Sequence, residues 1–480
     1  MPNAVHPERV AATAAGRRPV RPAEVARLHG VTDLLALHAR HPERYPVFLE
    51  SSGAASDAGR FDILMAFPGD VLRLDQQWHL SGLNDIEQQP GDFLARLDAW
   101  WSAEGGTSPP RQDVPFHGGW FVFLAFEMVR QIEPTLRLDP DGDCPVGLAV
   151  RIPAAIVHDR HTGHYLAVAE HGRHDLLREL QADTSNLQSC SVAEQCDDQP
   201  RIVVAGSITE DDPELFLEAA RRVQAHIVAG DIYQANISRQ WRARVSSRAR
   251  PWMLYQRLRR ANPAPFSGLA LFDGLAILSS SPERLLRVRD DRIETRPIAG
   301  TRPRNADDGL DRRHRAELLA SPKERAEHVM LIDLERSDLG RVCAPGSVAV
   351  GEFMTVETYA HVHHIVSNVT GRLRPDASPV DALRAVFPGG TITGCPKVRC
   401  IDIIHKLEQR PRGAYTGSMG YLNHDGSGDF NILIRSMTLK DDRLCLAAGS
   451  GIVADSIPDR ELMETRAKAR GLLLALDEPA

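Results

Sequence analysis

The chain has 480 residues, 42% hydrophobic and 25% charged, which is ample for a large core and unlike disordered, collagenous or coiled-coil sequences. Its 64 acidic against 57 basic residues leave a formal charge of -7, with no positive surplus for gripping a phosphate backbone, so no nucleic acid partner is expected. The most apolar run, Phe121 to Phe126, falls far short of the roughly 20 residues that cross a bilayer, and no membrane partner is expected either.

Residues 1–20 carry arginines and alanines but no apolar signal core, and read as a flexible tail of a cytoplasmic protein. Residues 21–180 read as an N-terminal region packed on the core, with strands in RFDILMAF (60–67) and AVRIPAAIV (149–157) and a helix near Asp92 to Ser102. Residues 181–205 are polar and without period, as in a linker or long surface loop. The larger unit, 206–480, opens with a helical stripe from Pro213 to Ala229 (Leu215, Phe216, Ala219, Ala220, Val223, Ile227) that Gly230 ends. Strands are expected in GLAILSSS, HIVSNV, DFNILIRSMTL and RLCLAAGSGIVA, and helices around 313–334, 379–386, 396–408 and 459–475. Strands and helices mix without βαβ alternation, which predicts an α+β fold. Seven scattered cysteines with no CxxC pair fit a reducing compartment and offer no zinc site.

Two acidic pairs recur far apart, Glu324 with Glu327 and Glu461 with Glu464, each three residues apart and so on one helix face. One such pair is unremarkable on a solvated helix. Two pairs facing each other across a cleft would need a hard dication with oxygen ligands, for which Mg²⁺ is the natural choice. GGTITGCPK is not a phosphate loop, because Cys395 stands where lysine is required and Pro396 lacks a donor. Gly449, Ser450 and Gly451 follow an apolar strand and read as a turn, either merely structural or able to hold an anion on its amides. Arg435 sits in an apolar strand and needs an acceptor, an internal carboxylate or a substrate. Of His361, His363 and His364, strand alternation puts His364 on the opposite face, which favours hydrogen-bonded structural roles over a metal site.

SPERLL, RPIAGTRPR, SPKERAEHVMLIDLERSDLGRV, GGTITGCPKVRCIDII, GAYTGSMGY and GSGIVADSIPDRELMETRAKA occur in the order and spacing of the chorismate-utilising enzymes, and the likeness runs from about 45 to 475. The chain resembles the chorismate-binding component I of aminodeoxychorismate synthase, with anthranilate synthase component I as the near relative. The resemblance implies large antiparallel sheets flanked by helices and an N-terminal region like that of anthranilate synthase component I. It implies Mg²⁺ bound by Glu327 and Glu464 with Glu324 and Glu461 nearby, and chorismate held by Tyr415, Arg435, the Gly449 to Gly451 amides and Lys468. It assigns Glu283 as general acid to the departing ring hydroxyl, and sets His364 and Thr391 beside the ring. Gln234 stands where water-adding relatives carry a lysine base, which favours ammonia as nucleophile. Leu49, Glu50 and Ser51 match the strand of a tryptophan pocket.

The words GDIYQANIS, RRANPAPFSG and VHHIVSNVTGRL look like aminodeoxychorismate synthase, so the expected reaction is Mg²⁺-dependent amination of chorismate to 4-amino-4-deoxychorismate in 4-aminobenzoate and folate synthesis. Ammonia would come from glutamine through a separate glutaminase subunit, and an aminodeoxychorismate lyase would act downstream. Ala299 departs from that reading: many such synthases have a nucleophilic lysine there, while anthranilate synthases have alanine. Anthranilate synthase component I is therefore the alternative, and a non-catalytic chorismate-binding protein the minor one.

Overall fold

The computed structural model describes residues 21–31, 33–52, 59–83, 89–104, 114–185, 204–246, 249–305, 307–358 and 362–476. The expected tail 1–20, most of the expected linker and His361 lie outside these residues. The described residues form two twelve-stranded sheets with antiparallel pairing and eleven α-helices.

Both sheets draw on strands from either side of residues 186–203. In the first, Val47–Glu50 pairs with Phe266–Phe272, setting Glu50 opposite Ser267. In the second, Gly119–Leu124 pairs with Ser418–Asn423, setting Leu124 opposite Ser418. Gly119–Leu124 shows why the sheets stack. Its side chains alternate between two cores, with Phe121 and Phe123 in one cluster and Trp120, Val122 and Leu124 in another, so the strand is buried on both faces. Each aromatic so buried contributes roughly 1.5–3 kcal/mol.

Local chemistry sets most boundaries. The helix Pro213–Val228 begins where the Asp212 side chain accepts from the Glu214 amide, and ends before Gly230 at φ +79°. It buries Phe216, Leu217, Ala220 and Val223, but the expected stripe member Leu215 is 70% exposed and lies off that face. Pro153 splits the expected strand 149–157 into Gly147–Ile152 and Ala154–Asp159. The expected helix 313–334 is likewise two, Asp308–Ala320 and Pro322–Gly340, because Ser321 caps the second and Pro322 cannot continue the first. A helix, His174–Ser185, runs into the start of the expected linker.

Two expectations at the site fail on backbone grounds. Residues 429–439 are not one strand: Gly428–Asn431 and Ser436–Lys440 are separated by a break that ends at Arg435, whose φ of +51° is left-handed. Gly449, Ser450 and Gly451 are not a turn but part of the strand Arg443–Ile452, opposite Ser238, Ile237 and Asn236 of the strand Gln234–Val245. That run is paired along one edge only: Ser436–Lys440 reaches no further than Leu446, and the Asn236 and Ser238 amides bond away from it, so the Gly449 and Gly451 amides face an edge with no strand.

Candidate active site

The two acidic pairs sit on two helices, Pro322–Gly340 and Pro458–Leu474, each pair in the N-terminal half of its helix, and Glu461 of the second is close enough for its charge to act on Glu327 of the first. Lys323 Nζ lies 3.8 Å from Glu327 Oε1 and 3.8 Å from Asp455 Oδ1, so a single ammonium joins the first helix to the segment leading into the second. Burial pushes the Glu327 carboxyl up to about 7, opposed by Lys323 and reinforced by Glu324, Glu461 and Asp455. Acids distant in sequence thus share one electrostatic neighbourhood.

The four do not form a ready cage. Among the described residues no three His, Cys, Asp or Glu side chains are spaced to hold a metal ion. Each acid is drawn to a local partner. Glu324 accepts from Arg302 at 3.1 Å, and Glu464 pairs with Lys468 at 2.7 Å. Glu461 accepts from Ser450 Oγ and, at 2.8 Å, from Ser456 Oγ. Burial raises Glu464, but Lys468, Arg435 and the Ser450 hydroxyl outweigh it and hold the carboxyl low. Glu327 Oε1 is the exception, buried with no hydrogen-bond partner among the described residues. An all-oxygen donor set with an orphaned carboxylate oxygen among like charges suits a hard dication.

Glu283 follows the strand Leu275–Ser281, its amide donating to Ser281 Oγ at 3.2 Å. It is buried, and desolvation pushes its carboxyl up to about 7; the Thr391 hydroxyl, the Ile298 amide and Arg435 oppose the rise and Glu335 adds to it. Thr391 lies on the short 3₁₀ turn Gly390–Ile392 of the GGTITG segment. His364 is buried too, its Nδ1–H donating to the Gly300 carbonyl at 3.1 Å. Burial, aided by Arg435 and Lys468, pulls its pKa down to about 4, so the imidazole is neutral at pH 7. His363 faces the other way, bonded at 2.9 Å to both Thr358 and Asp311, a structural role.

Arg435 is held at its break in the chain within reach of the charges of Tyr415, Glu464 and Glu283, and burial lowers its pKa. No hydrogen bond or ion pair ties its guanidinium to another described residue. Of the two acceptors open at the sequence level, the internal carboxylate is therefore not used. Tyr415, pushed up to about 12 by burial, stays a neutral hydroxyl near Gly449, where an added Cβ would lie 2.8 Å from its oxygen. Lys468 donates to the Gly449 carbonyl at 3.0 Å besides pairing with Glu464. Gln234 lies at the start of its strand opposite Cys395, and Ala299 lies in the strand Ile298–Pro303 beside the acid's Ile298 contact.

The sequence pointed past one further acid. Glu335, eleven residues or about three helical turns beyond Glu324, is buried, accepts from the Gly390 amide at 3.3 Å and contributes to the field at Glu283. Its carboxyl is raised by burial and by Asp338, while Lys397, bonded to Asp338 at 2.5 Å, opposes the rise. The spacing of acids along one helix was the available signal.

Leu49, Glu50 and Ser51 lie elsewhere, lining a cavity of about 520 Å³ between the two sheets with Pro265, Phe266 and Asn431. Glu50 is fully committed there: it accepts from Arg259 at 2.5 Å, Tyr255 at 2.9 Å and Arg160 at 3.2 Å. The Ser51 hydroxyl donates to the Pro265 carbonyl at 3.0 Å.

Residues 68–474 match the chorismate binding enzyme family. Anthranilate synthase component 1 of Aquifex aeolicus is 37% identical over 465 residues, 92% of this chain and 91% of that protein. The crystal structure of anthranilate synthase component I from Streptococcus pneumoniae superposes with a TM-score of 0.75 at 29% identity, covering 87% of this chain and 93% of the other. The menaquinone-specific isochorismate synthase of Escherichia coli shares the fold, with a TM-score of 0.71 at 19% identity over 97% of each chain. No helix among the described residues is long and apolar enough to cross a membrane. With its matched length and its site of buried acids around an unpaired guanidinium, the chain belongs to the chorismate-binding enzymes.

Proposed function

We propose that the chain is the chorismate-aminating subunit of an anthranilate synthase, converting chorismate and ammonia to anthranilate, pyruvate and water. The observation that carries this reading is the buried Glu283 carboxyl, pushed up to about 7, beside Arg435, which has no partner of its own among the described residues. Arg435 and the Tyr415 hydroxyl would hold a substrate carboxylate. Ammonia adds to ring carbon 2 and gives up one proton, the two conjugated ring double bonds each shift by one position, and the C4–O bond breaks; the hydroxyl takes the proton of Glu283 and leaves as water. Loss of the carbon 2 proton and of the enolpyruvyl group, released as pyruvate, then gives the aromatic ring. Neutral His364 and Thr391 flank the ring. Glu327 and Glu464, with Glu324 and Glu461 behind them, would hold Mg²⁺, which when bound supplies positive charge to the substrate's ring carboxylate.

The relatives' names and Ala299 support anthranilate over the 4-amino-4-deoxychorismate expected from the motif words, because a methyl group offers no amine for a covalent adduct. The second reading keeps the support of GDIYQANIS and VHHIVSNVTGRL, and only it calls for an aminodeoxychorismate lyase downstream. In either case a separate glutaminase subunit would supply ammonia, which in water at neutral pH is mostly protonated. The inter-sheet cavity at Leu49, Glu50 and Ser51 would take an amino acid, with tryptophan the ligand implied by resemblance. The deciding experiment incubates the purified chain with chorismate, Mg²⁺ and ammonium and separates the products. Fluorescent anthranilate is expected without added enzyme; an aminochorismate that yields 4-aminobenzoate only after adding lyase would overturn the assignment in favour of the second reading.

A further inference from the structure

We propose that Asn236 joins Gln234 in a two-oxygen cradle that holds the amine nucleophile beside the ring. The two residues are two apart on the strand Gln234–Val245 and so share a face. They are 6% and 9% exposed, and both side-chain oxygens, Gln234 Oε1 and Asn236 Oδ1, are buried without a hydrogen-bond partner among the described residues. The next side chain in the row behaves differently. Ser238 Oγ donates to Glu408 at 2.9 Å and accepts from Arg410 at 3.1 Å, so it belongs to the fold.

The cradle's seat is built by its neighbours. Across the sheet, a Cβ on Gly449 would come within 2.5 Å of Asn236 Oδ1 and one on Gly451 within 2.5 Å of Gln234 Nε2, so only glycine leaves room for the amides. On the other edge, the Asn236 amide donates to the Thr393 carbonyl at 2.8 Å, which brings the segment bearing Thr391 alongside. The same point above Gly449 lies 2.8 Å from the Tyr415 hydroxyl. The two amides thus stand between the residues flanking the ring and those placed to hold its carboxylate.

A buried carbonyl left unpaired costs roughly 1–3 kcal/mol, and a binding partner that donates relieves that cost. Chorismate's carboxylates are acceptors and cannot do so. Ammonia can: two of its N–H groups satisfy the two oxygens and its lone pair is left for ring carbon. A lysine at position 234 would place a competing donor here, whereas a pair of neutral acceptors selects a donor-rich nucleophile.

This inference rests on the proposed amination, and steady-state kinetics on the full chain with ammonium as the variable substrate tests the two separately. Asn236→Leu keeps the shape and removes the acceptor; it is expected to raise KM for ammonium about tenfold, the factor for one lost hydrogen bond, with KM for chorismate within twofold of wild type. Asn236→Asp retains an acceptor oxygen and should keep the wild-type KM for ammonium. Should the leucine variant fail to fold, Asn236→Ala, which is smaller and also removes the acceptor, should raise KM for ammonium at least several-fold. An unchanged KM for ammonium, or an equal rise in KM for chorismate, overturns the cradle while the amination stands. A wild-type chain that consumes no chorismate in the presence of ammonium overturns both.

Discussion

Two buried glutamates, Glu50 at the inter-sheet cavity and Glu283 at the candidate active site, are each pushed up to about 7 by desolvation, yet their surroundings are opposite. Glu50 has two guanidinium groups and a phenol bonded to it, and its neighbourhood is closed. The candidate active site is left open by contrast: among the described residues Arg435, whose charge reaches Glu283, has no ion pair, and Gln234 Oε1 and Asn236 Oδ1 have no hydrogen-bond partner. A raised pKa alone does not mark a reaction centre. A raised pKa among unsatisfied polar groups does, because those groups cost stability that only a ligand returns.

The strongest way to break this contrast is Glu283→Gln. If the open neighbourhood serves proton donation, turnover should fall roughly 10²–10⁴-fold while Mg²⁺-dependent chorismate binding and the thermal midpoint hold. Stopped assays with product separation, alongside calorimetric titration, check both. Near-normal turnover would remove the acid.

Two arginines sharpen the comparison next. Arg259→Ala leaves Glu50 in a closed site with Arg160 and Tyr255 alone, and weakening a buried pair in this way costs up to roughly 3–5 kcal/mol. The sign with pH follows from Glu50. Its folded-state carboxyl sits at about 7, above the unfolded value, and loss of Arg259 lifts it further; the unfolded chain titrates alike in both proteins, so the variant's penalty relative to wild type grows as pH rises through about 7, where only the wild-type carboxyl ionises. Thermal melts at pH 6 and pH 8 should therefore separate, with the variant weaker at pH 8. Arg435→Ala removes a cation with no internal partner. It should leave the melt near wild type and weaken chorismate binding roughly a hundredfold, as expected for a desolvated carboxylate contact. A large loss of stability with unchanged binding would assign Arg435 to the fold instead.

Local patterns made much of this site legible. The ExxE spacings, the apolar strand before SPERLL and Gly230 at the end of Pro213–Val228 act within a few residues of themselves, and the structure follows them. What failed depended on contacts across the chain. Ile432 and Ile434 alternate like strand residues, and nothing in NILIRS announces that Arg435 turns left-handed. The glycines at 449 and 451 read as a turn, but they are small because the amides of Asn236 and Gln234 on the next strand need the space. The acids of both ExxE pairs were visible; their present partners, Arg302, Ser450 and Ser456, were not, since each lies 5 to 22 residues away. The inter-sheet cavity is of the same kind, formed only when strands from both ends of the chain stack.

The smallest predicted effect concerns Glu335, which touches both halves of the comparison: it bonds the Gly390 amide as a strut and lends its charge to Glu283. Its own field comes from Asp338 on the same helix, Lys397 at the start of the next helix in the site, and Thr295 on a neighbouring strand. While Glu335 is ionised, its like charge makes Glu283 harder to deprotonate, so the two acids release their protons in linked steps. If Glu283 is the proton donor, activity should decline as pH rises through about 7, where its carboxyl ionises. Glu335→Gln removes the repulsion, so the alkaline limb of kcat should move to lower pH by up to about one unit, with KM for chorismate little changed. A strut alone predicts a lower kcat at every pH and an unmoved limb, and that result would confine Glu335 to supporting the turn that carries Thr391.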